Sequence, residues 1–435
     1  MSLLVDGAYL ALTAAASPWW LFRSVTSARF RRSLADRLGR PPAQAKPAGR
    51  PRVWIHCASV GELNGARTFI DAVPKRFPDC DWVVSSFTET GREQARARYG
   101  ADRVFLFPLD FSWTVRRTLR AVQPDVIVIV ESEFWPNLLG QARVRRIPLL
   151  WVNGRLQEKA LRRWRRWRWA LGLDASPRNR YSIQTPAYAA RFAELGVPPD
   201  AIRVTGNIKY DAVRTDVPEA DRKRLRQAFG LAAEAPLIVG GSTWPGEEEA
   251  LLAAYRELRA SQPALRLLLA PRHIDRADDV ERVIKEAGFA CLRRSRAASA
   301  ATPAEGDVAP VLLLDTMGEL TTAYALAACA FVGKTLFVGG GHNVLEPAAL
   351  GVPAVFGPLT AHCEEEAALV VERGAGRRVA GPAELTAALR DLLAHEDERR
   401  AMGARGRQAV RDNQGATERN LAALAELLPP GGKAP

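Results

Sequence analysis

Short apolar runs alternate with helical stretches along this chain, and that alternation limits its fold more than any other feature. The first series is RVWIHCAS, DWVVSSF, PDVIVIVES, IPLLWVNG and RYSIQT, between residues 52 and 185. Each run is bounded by Gly, Pro or polar residues, as expected of strands buried on both faces of a parallel sheet. A second series, APLIVGGST, LRLLLAPRH, APVLLLDT, ACAFVGKT and VPAVFGP, occupies residues 235–358. Helical segments such as GEEEALLAAYRELRA separate its members. The pattern predicts βα units wound into two α/β domains. A chain of 435 residues, 47% hydrophobic, is long enough for two such cores. The polar stretch GNIKYDAVRTDVPEADRKRL, residues 206–225, marks the break. The expected domains are therefore residues 50–208 and 225–425, preceded by an N-terminal segment over residues 1–40. Two Rossmann-like domains facing a central cleft place ligands at the carboxyl ends of their strands.

The N-terminal stretch LLVDGAYLALTAAASPWWLF, residues 3–22, is about as long as a bilayer core is thick. Arg23, Arg29, Arg31, Arg32 and Arg37 follow it, and no Lys or Arg precedes it, which argues against a cleaved signal peptide. Asp6 and Pro18 interrupt its apolar character, Asp6 near enough to one end to reach the interface. The segment is expected either to span the membrane or to lie along it as an amphipathic helix. The basic flank keeps the rest of the chain on the cytoplasmic side. The stretch EKALRRWRRWRWALGL, residues 158–173, interleaves Arg162, Arg163, Arg165, Arg166 and Arg168 with Trp164, Trp167 and Trp169. Such a helix suits anionic headgroups, a nucleic acid, or simply solvent; the hydrophobic N-terminus favours the membrane. The net charge of +13 points to anionic partners, whether nucleic acid, an anionic membrane face or phosphorylated substrates, without choosing between them. The five cysteines are scattered, without CxxC or zinc spacing, as in a reducing compartment.

Several motifs fall where strands end and helices begin. In FVGGGHNVLEP, the glycines Gly339, Gly340 and Gly341 permit positive φ and close approach of a ligand. The helix expected from Asn343 directs free N–H groups at that space, as phosphate sites do, and Glu346 can accept hydrogen bonds from a ribose diol. Helix capping by Asn343 is the structural alternative. Pro271 and Arg272 end another strand, where the guanidinium suits phosphate or a surface ion pair equally. Thr316 and Glu319 match a capping box, with Met317, Gly318 and Glu319 exposing their backbone nearby. Ser242 and Thr243 are read as a helix start. In ASVGE, Ser59 and Glu62 match a second capping box, whose helix dipole would lower the Glu62 pKa and make it a weak base. Glu131 and Glu133 sit at a strand's carboxyl end, suited to acid/base or cation-stabilising work.

Taken in order, ASVGE, ESEFWPN, VNGRL, GNIKYD, GST-x-x-GEE, PRH, DTMGEL and GGHN-x-LEP resemble the bacterial lipid A Kdo (3-deoxy-D-manno-octulosonic acid) transferases over nearly the whole chain. The resemblance implies an α/β GT-B glycosyltransferase, two Rossmann-like domains facing a cleft behind an N-terminal hydrophobic, membrane-associated helix. It implies an inverting transfer of Kdo from CMP-Kdo to a phosphorylated lipid A precursor, lipid IVA, in lipopolysaccharide biosynthesis. The enzyme would work on the cytoplasmic side of the anionic inner membrane, with no cofactor, metal or nucleic acid. The family's general base corresponds to Glu62, and Glu131 would support the reacting centre. CMP contacts correspond to Pro271 and Arg272, to Met317, Gly318 and Glu319, and to Asn343, Val344, Leu345 and Glu346. Departures from the family's usual residues at VNGRL, Gln157 and SSFTETG bear on the acceptor side. A nucleotide-sugar epimerase of the same architecture is the alternative. A non-catalytic basic module is a further rival, with salt-dependent binding indifferent to CMP.

Overall fold

The computed structural model describes residues 46–173, 176–299 and 309–429, with short pieces at 5–7, 9–11, 25–27, 33–34 and 36–41. The chain forms two compact units, residues 1–212 with 414–435, and residues 213–413. Each is built on one parallel seven-stranded sheet.

The first sheet contains β1 (Arg52–Cys57), β2 (Asp81–Ser86), β3 (Val104–Leu106), β4 (Val126–Val130), β5 (Leu149–Gly154), β6 (Arg180–Ile183) and β7 (Ile202–Val204). Its order is β3-β2-β1-β4-β5-β6-β7. The run VIVIV of β4 is buried throughout, as a central parallel strand between two helical layers requires. β1 lies between β2 and β4, so the chain leaves these neighbours in opposite directions. The crevice outside the carboxyl ends of β1 and β4 is therefore the switch point of this sheet.

The second sheet contains β8 (Leu237–Thr243), β9 (Arg266–Pro271), β10 (Cys291–Arg293), β11 (Val311–Leu313), β12 (Cys329–Val332), β13 (Ala354–Phe356) and β14 (Gly376–Arg378). Its order, β10-β11-β9-β8-β12-β13-β14, puts the switch point between β8 and β12. Apolar residues buried on both faces hold each unit together, Trp54, Ile127 and Trp151 on one face of the first sheet with Val53 and Val128 on the other, and Leu269, Phe331 and Val355 on one face of the second with Leu268 and Ala330 on the other. A large side chain so buried contributes roughly 1.5–3 kcal/mol.

The break between the units falls inside GNIKYDAVRTDVPEADRKRL, after Ala212. Helix Ala416–Ala425 belongs to the first unit, not to a second domain reaching residue 425. The reason is local. Asp211 accepts hydrogen bonds from the N–H groups of Gly415 and Thr417, and so caps that helix. Its Leu421 and Leu424 are buried in the first unit's core.

Residues 3–22 fall mostly outside the described residues, as do Arg23, Arg29, Arg31 and Arg32. Among the described residues no helix is long and apolar enough to cross a membrane. Asp6 is engaged within the protein. Its carboxylate accepts from Ser112 N (2.8 Å) and Oγ (2.6 Å), capping helix Ser112–Val122, and from Asn137 Nδ2 (3.0 Å). Tyr9 packs edge-on against Phe111. Arg37 is also engaged within the protein, bonded to Phe87 O (3.0 Å) with its guanidinium over the Phe87 ring. The tryptophan-arginine stretch forms helices Glu158–Arg165 and Arg168–Leu171. Leu161 and Leu171 face inward while Trp167 and Trp169 are each 54% exposed among the arginines.

Candidate active site

In the first unit the chemistry gathers at the switch point. Two residues beyond β1, Ser59 caps helix Val60–Gly65 by accepting from Glu62 N–H (3.3 Å). The Glu62 carboxylate turns back to accept from Ala58 N–H (2.6 Å), so both halves of a capping arrangement are present. The expected lowering of the Glu62 pKa by the helix dipole does not prevail. Burial first, then the negative field of Glu133, raises it to about 8, with a smaller push from Glu131; the Ala58 hydrogen bond opposes them. The helix has only six residues, so its dipole is small beside the cost of burying a charge.

Glu131 directly follows β4 with φ 59°, a left-handed conformation that is uncommon outside glycine. Its N–H is held by Val152 O (2.9 Å), and Arg155 Nε lies 3.9 Å from its carboxylate. Glu133 is raised by burial and then by Glu131, and lowered by Arg163. The remainder of ESEFWPN is structural. Trp135 packs on Phe87 and Phe107, Pro136 opens a helix, and Asn137 N–H donates to the buried Asp110 carboxylate (2.9 Å). VNGRL carries a register shift in the β5–β6 pairing, with Asn153 at φ 59°. Asn153 Oδ1 accepts from Ile208 N–H (3.0 Å) and so ties the GNIKYD turn, with Lys209, to the same sheet. Sequence reasoning paired Glu133 with Glu131 as a candidate acid/base or cation-stabilising group but missed Arg155. Spacing within ESEFWPN shows the first to be near Glu131, whereas nothing local reveals the second.

In the second unit the carboxyl ends of β8, β9, β11 and β12 share one edge, because the sheet is parallel. Pro271 ends β9 and Arg272 follows it, exposed. After β11 the chain bends through Met317, 82% exposed, and Gly318 at φ 84°. Glu319 is paired with Arg294 (3.0 Å) and bonded to the Thr316 hydroxyl. No capping box forms, since helix Leu320–Leu326 begins beyond it. Ser242 and Thr243 are the last residues of β8 rather than a helix start.

The glycine loop departs from expectation in two respects. The helix it opens, Leu345–Ala349, has five residues, so little dipole reaches a ligand. Asn343 Oδ1 accepts from Leu345 N–H (3.1 Å), while Val344 is the capping residue. The protein itself requires glycine at two positions. A Cβ on Gly340 (φ 122°) would lie 2.6 Å from the His362 ring, and one on Gly341 (φ 73°) 2.8 Å from Cys363 Sγ. Gly339 has no such close neighbour. Burial raises the Glu346 carboxyl, against lowering by Arg272 and by the Asn343 hydrogen bond.

Around Arg272 the edge carries features the motifs did not announce. Trp244 Nε1 donates to His342 Nε2 (3.3 Å), Lys334 Nζ stands 4.9 Å from the centroid of the Trp244 ring, and His273 meets that ring edge-on. Burial, then the positive field of Arg272, Lys334, His273 and His362, lowers His342 to about 4. Glu247, fully buried, accepts from the N–H groups of Trp244 (2.9 Å), Lys334 (2.8 Å), Thr335 (2.9 Å) and Leu336 (3.1 Å). One carboxylate thereby locks the β8 and β12 loops to each other.

Comparison with known proteins places this geometry. Residues 32–212 match the family model described as 3-deoxy-D-manno-octulosonic-acid transferase (kdotransferase). The chain is 34% identical over 420 residues to the 3-deoxy-D-manno-octulosonic acid transferase of Haemophilus influenzae, spanning 94% of this chain and 93% of that one. It is 32% identical to the enzyme of the same name from Bordetella pertussis, over 90% and 91% of the two chains. Among solved structures, a glycosyltransferase from Rickettsia africae covers 88% of this chain and is itself covered in full, with a TM-score of 0.54 at 9% identity. A UDP-GlcNAc 2-epimerase from Neisseria meningitidis covers 86% and is likewise covered in full, with a TM-score of 0.56 at 14% identity. At such identities these two likenesses speak to the fold alone. The sequence matches speak to lineage: the chain is a glycosyltransferase and belongs to the 3-deoxy-D-manno-octulosonic acid transferase family.

Proposed function

We propose that the protein transfers Kdo from CMP-Kdo to a hydroxyl of a phosphorylated lipid A precursor, lipid IVA, at the cytoplasmic face of the inner membrane. The observation that carries the mechanism is the Glu62 carboxyl, largely buried at the first switch point with its pKa raised to about 8. A carboxylate with that proton affinity is a competent general base near neutral pH. The acceptor oxygen forms a bond to the anomeric carbon of Kdo as the bond from that carbon to the CMP phosphate oxygen breaks. CMP leaves with the bonding electron pair, and the hydroxyl proton passes to Glu62. A single displacement of this kind inverts the anomeric configuration.

Glu131 faces the positive charge that develops on the sugar ring and stabilises it, with Glu133 beside it. Arg272 takes the phosphate charge, the backbone of Met317, Gly318 and Glu319 borders the nucleotide, and Glu346 accepts from the ribose. Asn343, Val344 and Leu345 shape the turn that presents Glu346, and Pro271 aims Arg272. The exposed arginines and tryptophans of residues 158–173 suit an anionic membrane and a phosphorylated acceptor. The reading is tested by transfer from CMP-Kdo, generated in situ, to a tetra-acylated lipid A precursor. Wild type should form product, and Glu62→Ala should form none while still binding CMP. Turnover retained in Glu62→Ala returns Glu62 to its capping role.

A further inference from the structure

We infer that Lys334, seated over the indole of Trp244 at the switch point of the second sheet, binds the carboxylate of the donor's acidic sugar while Arg272 binds its phosphate. The inference rests on the functional reading above and names a donor contact that none of the motifs assigns. Its first support is position. β8 and β12 are neighbours from which the chain departs in opposite directions, and Trp244 and Lys334 lie on the loops just beyond their carboxyl ends. Ligands of doubly wound sheets bind there.

The second support is construction. Lys334 adopts φ 61°, a strained left-handed conformation for a lysine. Its N–H is held by the buried Glu247 (2.8 Å), and its carbonyl accepts from Gly341 N–H (2.8 Å). Strain of this sort persists where the surroundings over-determine the backbone, and it clusters at ligand clamps. The ammonium is only half-buried, 4.9 Å from the centre of the Trp244 ring. That same ring fixes His342 through Nε1 and touches His273. The result is a preorganised cationic face beside Arg272.

The third support is the set of charges. Arg272 is near enough to act electrostatically on both Glu346, the carboxylate proposed for the ribose, and His342 of the Trp244–His342 pair. Lys334 stands on the Trp244–His342 side. A CMP-linked ulosonic acid presents ribose, phosphate and sugar carboxylate in sequence. Glu346, Arg272 and Lys334 offer one partner to each of those three groups, with two cations against two anions. CMP alone has no carboxylate, so Lys334 distinguishes the intact donor from the leaving group.

The test uses Lys334→Gly in the full chain. Glycine takes φ near 61° without strain and keeps the N–H that Glu247 holds, so removal of the ammonium leaves the loop intact. Lys334→Arg serves as the rescue. Transfer rates against CMP-Kdo concentration and calorimetric binding of CMP are measured for all three proteins. Lys334→Gly should raise KM for the donor about 10- to 100-fold, the worth of one charge-assisted hydrogen bond, with CMP affinity within about twofold of wild type. Lys334→Arg should recover most of the donor affinity. Equal weakening of CMP and donor would place Lys334 on the phosphate and overturn the assignment. Unchanged KM would make it a purely structural cation and overturn it too. Absence of transfer by the wild type would instead defeat the functional reading, and the inference with it, whatever the variants do.

Discussion

Replacing Glu62 with glutamine should stabilise the protein, and increasingly so as pH rises from about 5 to about 8. In the folded chain Glu62 keeps its proton to about 8, against an ordinary value of 4.5. Between those values the native state binds a proton that the unfolded state has released. Stability therefore falls as pH rises through the window, and the whole penalty is present above pH 8. The difference, at ~1.36 kcal/mol per pH unit, sets a ceiling of roughly 5 kcal/mol. Partial solvent access to the side chain reduces this to about 2–4 kcal/mol. Glu62→Gln removes the charge but keeps an oxygen to accept from Ala58 N–H. Urea unfolding of wild type and variant should agree within about 1 kcal/mol at pH 5. At pH 9 the variant should be more stable by about 2–4 kcal/mol. A variant no more stable than wild type at pH 9 would refute the claim that burial and Glu133 hold this carboxyl near its neutral form.

Other perturbations test the scaffold beneath the site. Glu247→Ala strands four backbone N–H groups at the β8 and β12 loops and should cost roughly 3–5 kcal/mol in thermal unfolding, with loss of CMP binding. Gly340→Ala combines φ 122° with a contact 2.6 Å from the His362 ring and should cost about 1–3 kcal/mol, read in the same melts. Asp6→Ala removes the cap of helix Ser112–Val122 and should cost ~0.5–2 kcal/mol in unfolding experiments, with calorimetric CMP binding unchanged.

The inner strands are legible in the sequence because each is a continuous apolar run. The outermost ones, β3, β7, β10 and β14, each three residues long, are not. Edge strands need cover on fewer sides, so their sequences carry less of the signal: β14 reads GRR and β7 is half-exposed. The helix that closes the first unit was invisible as such, since its tie to Asp211 joins residues some 200 positions apart. The carboxylates were legible as residues but not as a set. What raises Glu62 is burial and Glu133, both products of the β1–β4 pairing rather than of the local motif. The triple glycine was legible as a special turn, yet the demand for glycine at 340 and 341 comes from His362 and Cys363, beyond the motif. Lys334 and Trp244 meet only because Glu247 joins two loops from adjacent strands.

The most direct test of the mechanism is the pH dependence of kcat/KM for Kdo transfer, which reports the ionisation of the base in the free enzyme. The account predicts an acid limb that rises tenfold per pH unit and breaks near 8, where Glu62 releases its proton. In Glu133→Gln, which removes the like charge that acts most strongly on Glu62, the break should move to lower pH by roughly one unit. A wild-type profile that breaks in the ordinary carboxylate range, or one that Glu133→Gln leaves in place, would contradict Glu62 as a base tuned by burial and by its neighbouring carboxylates.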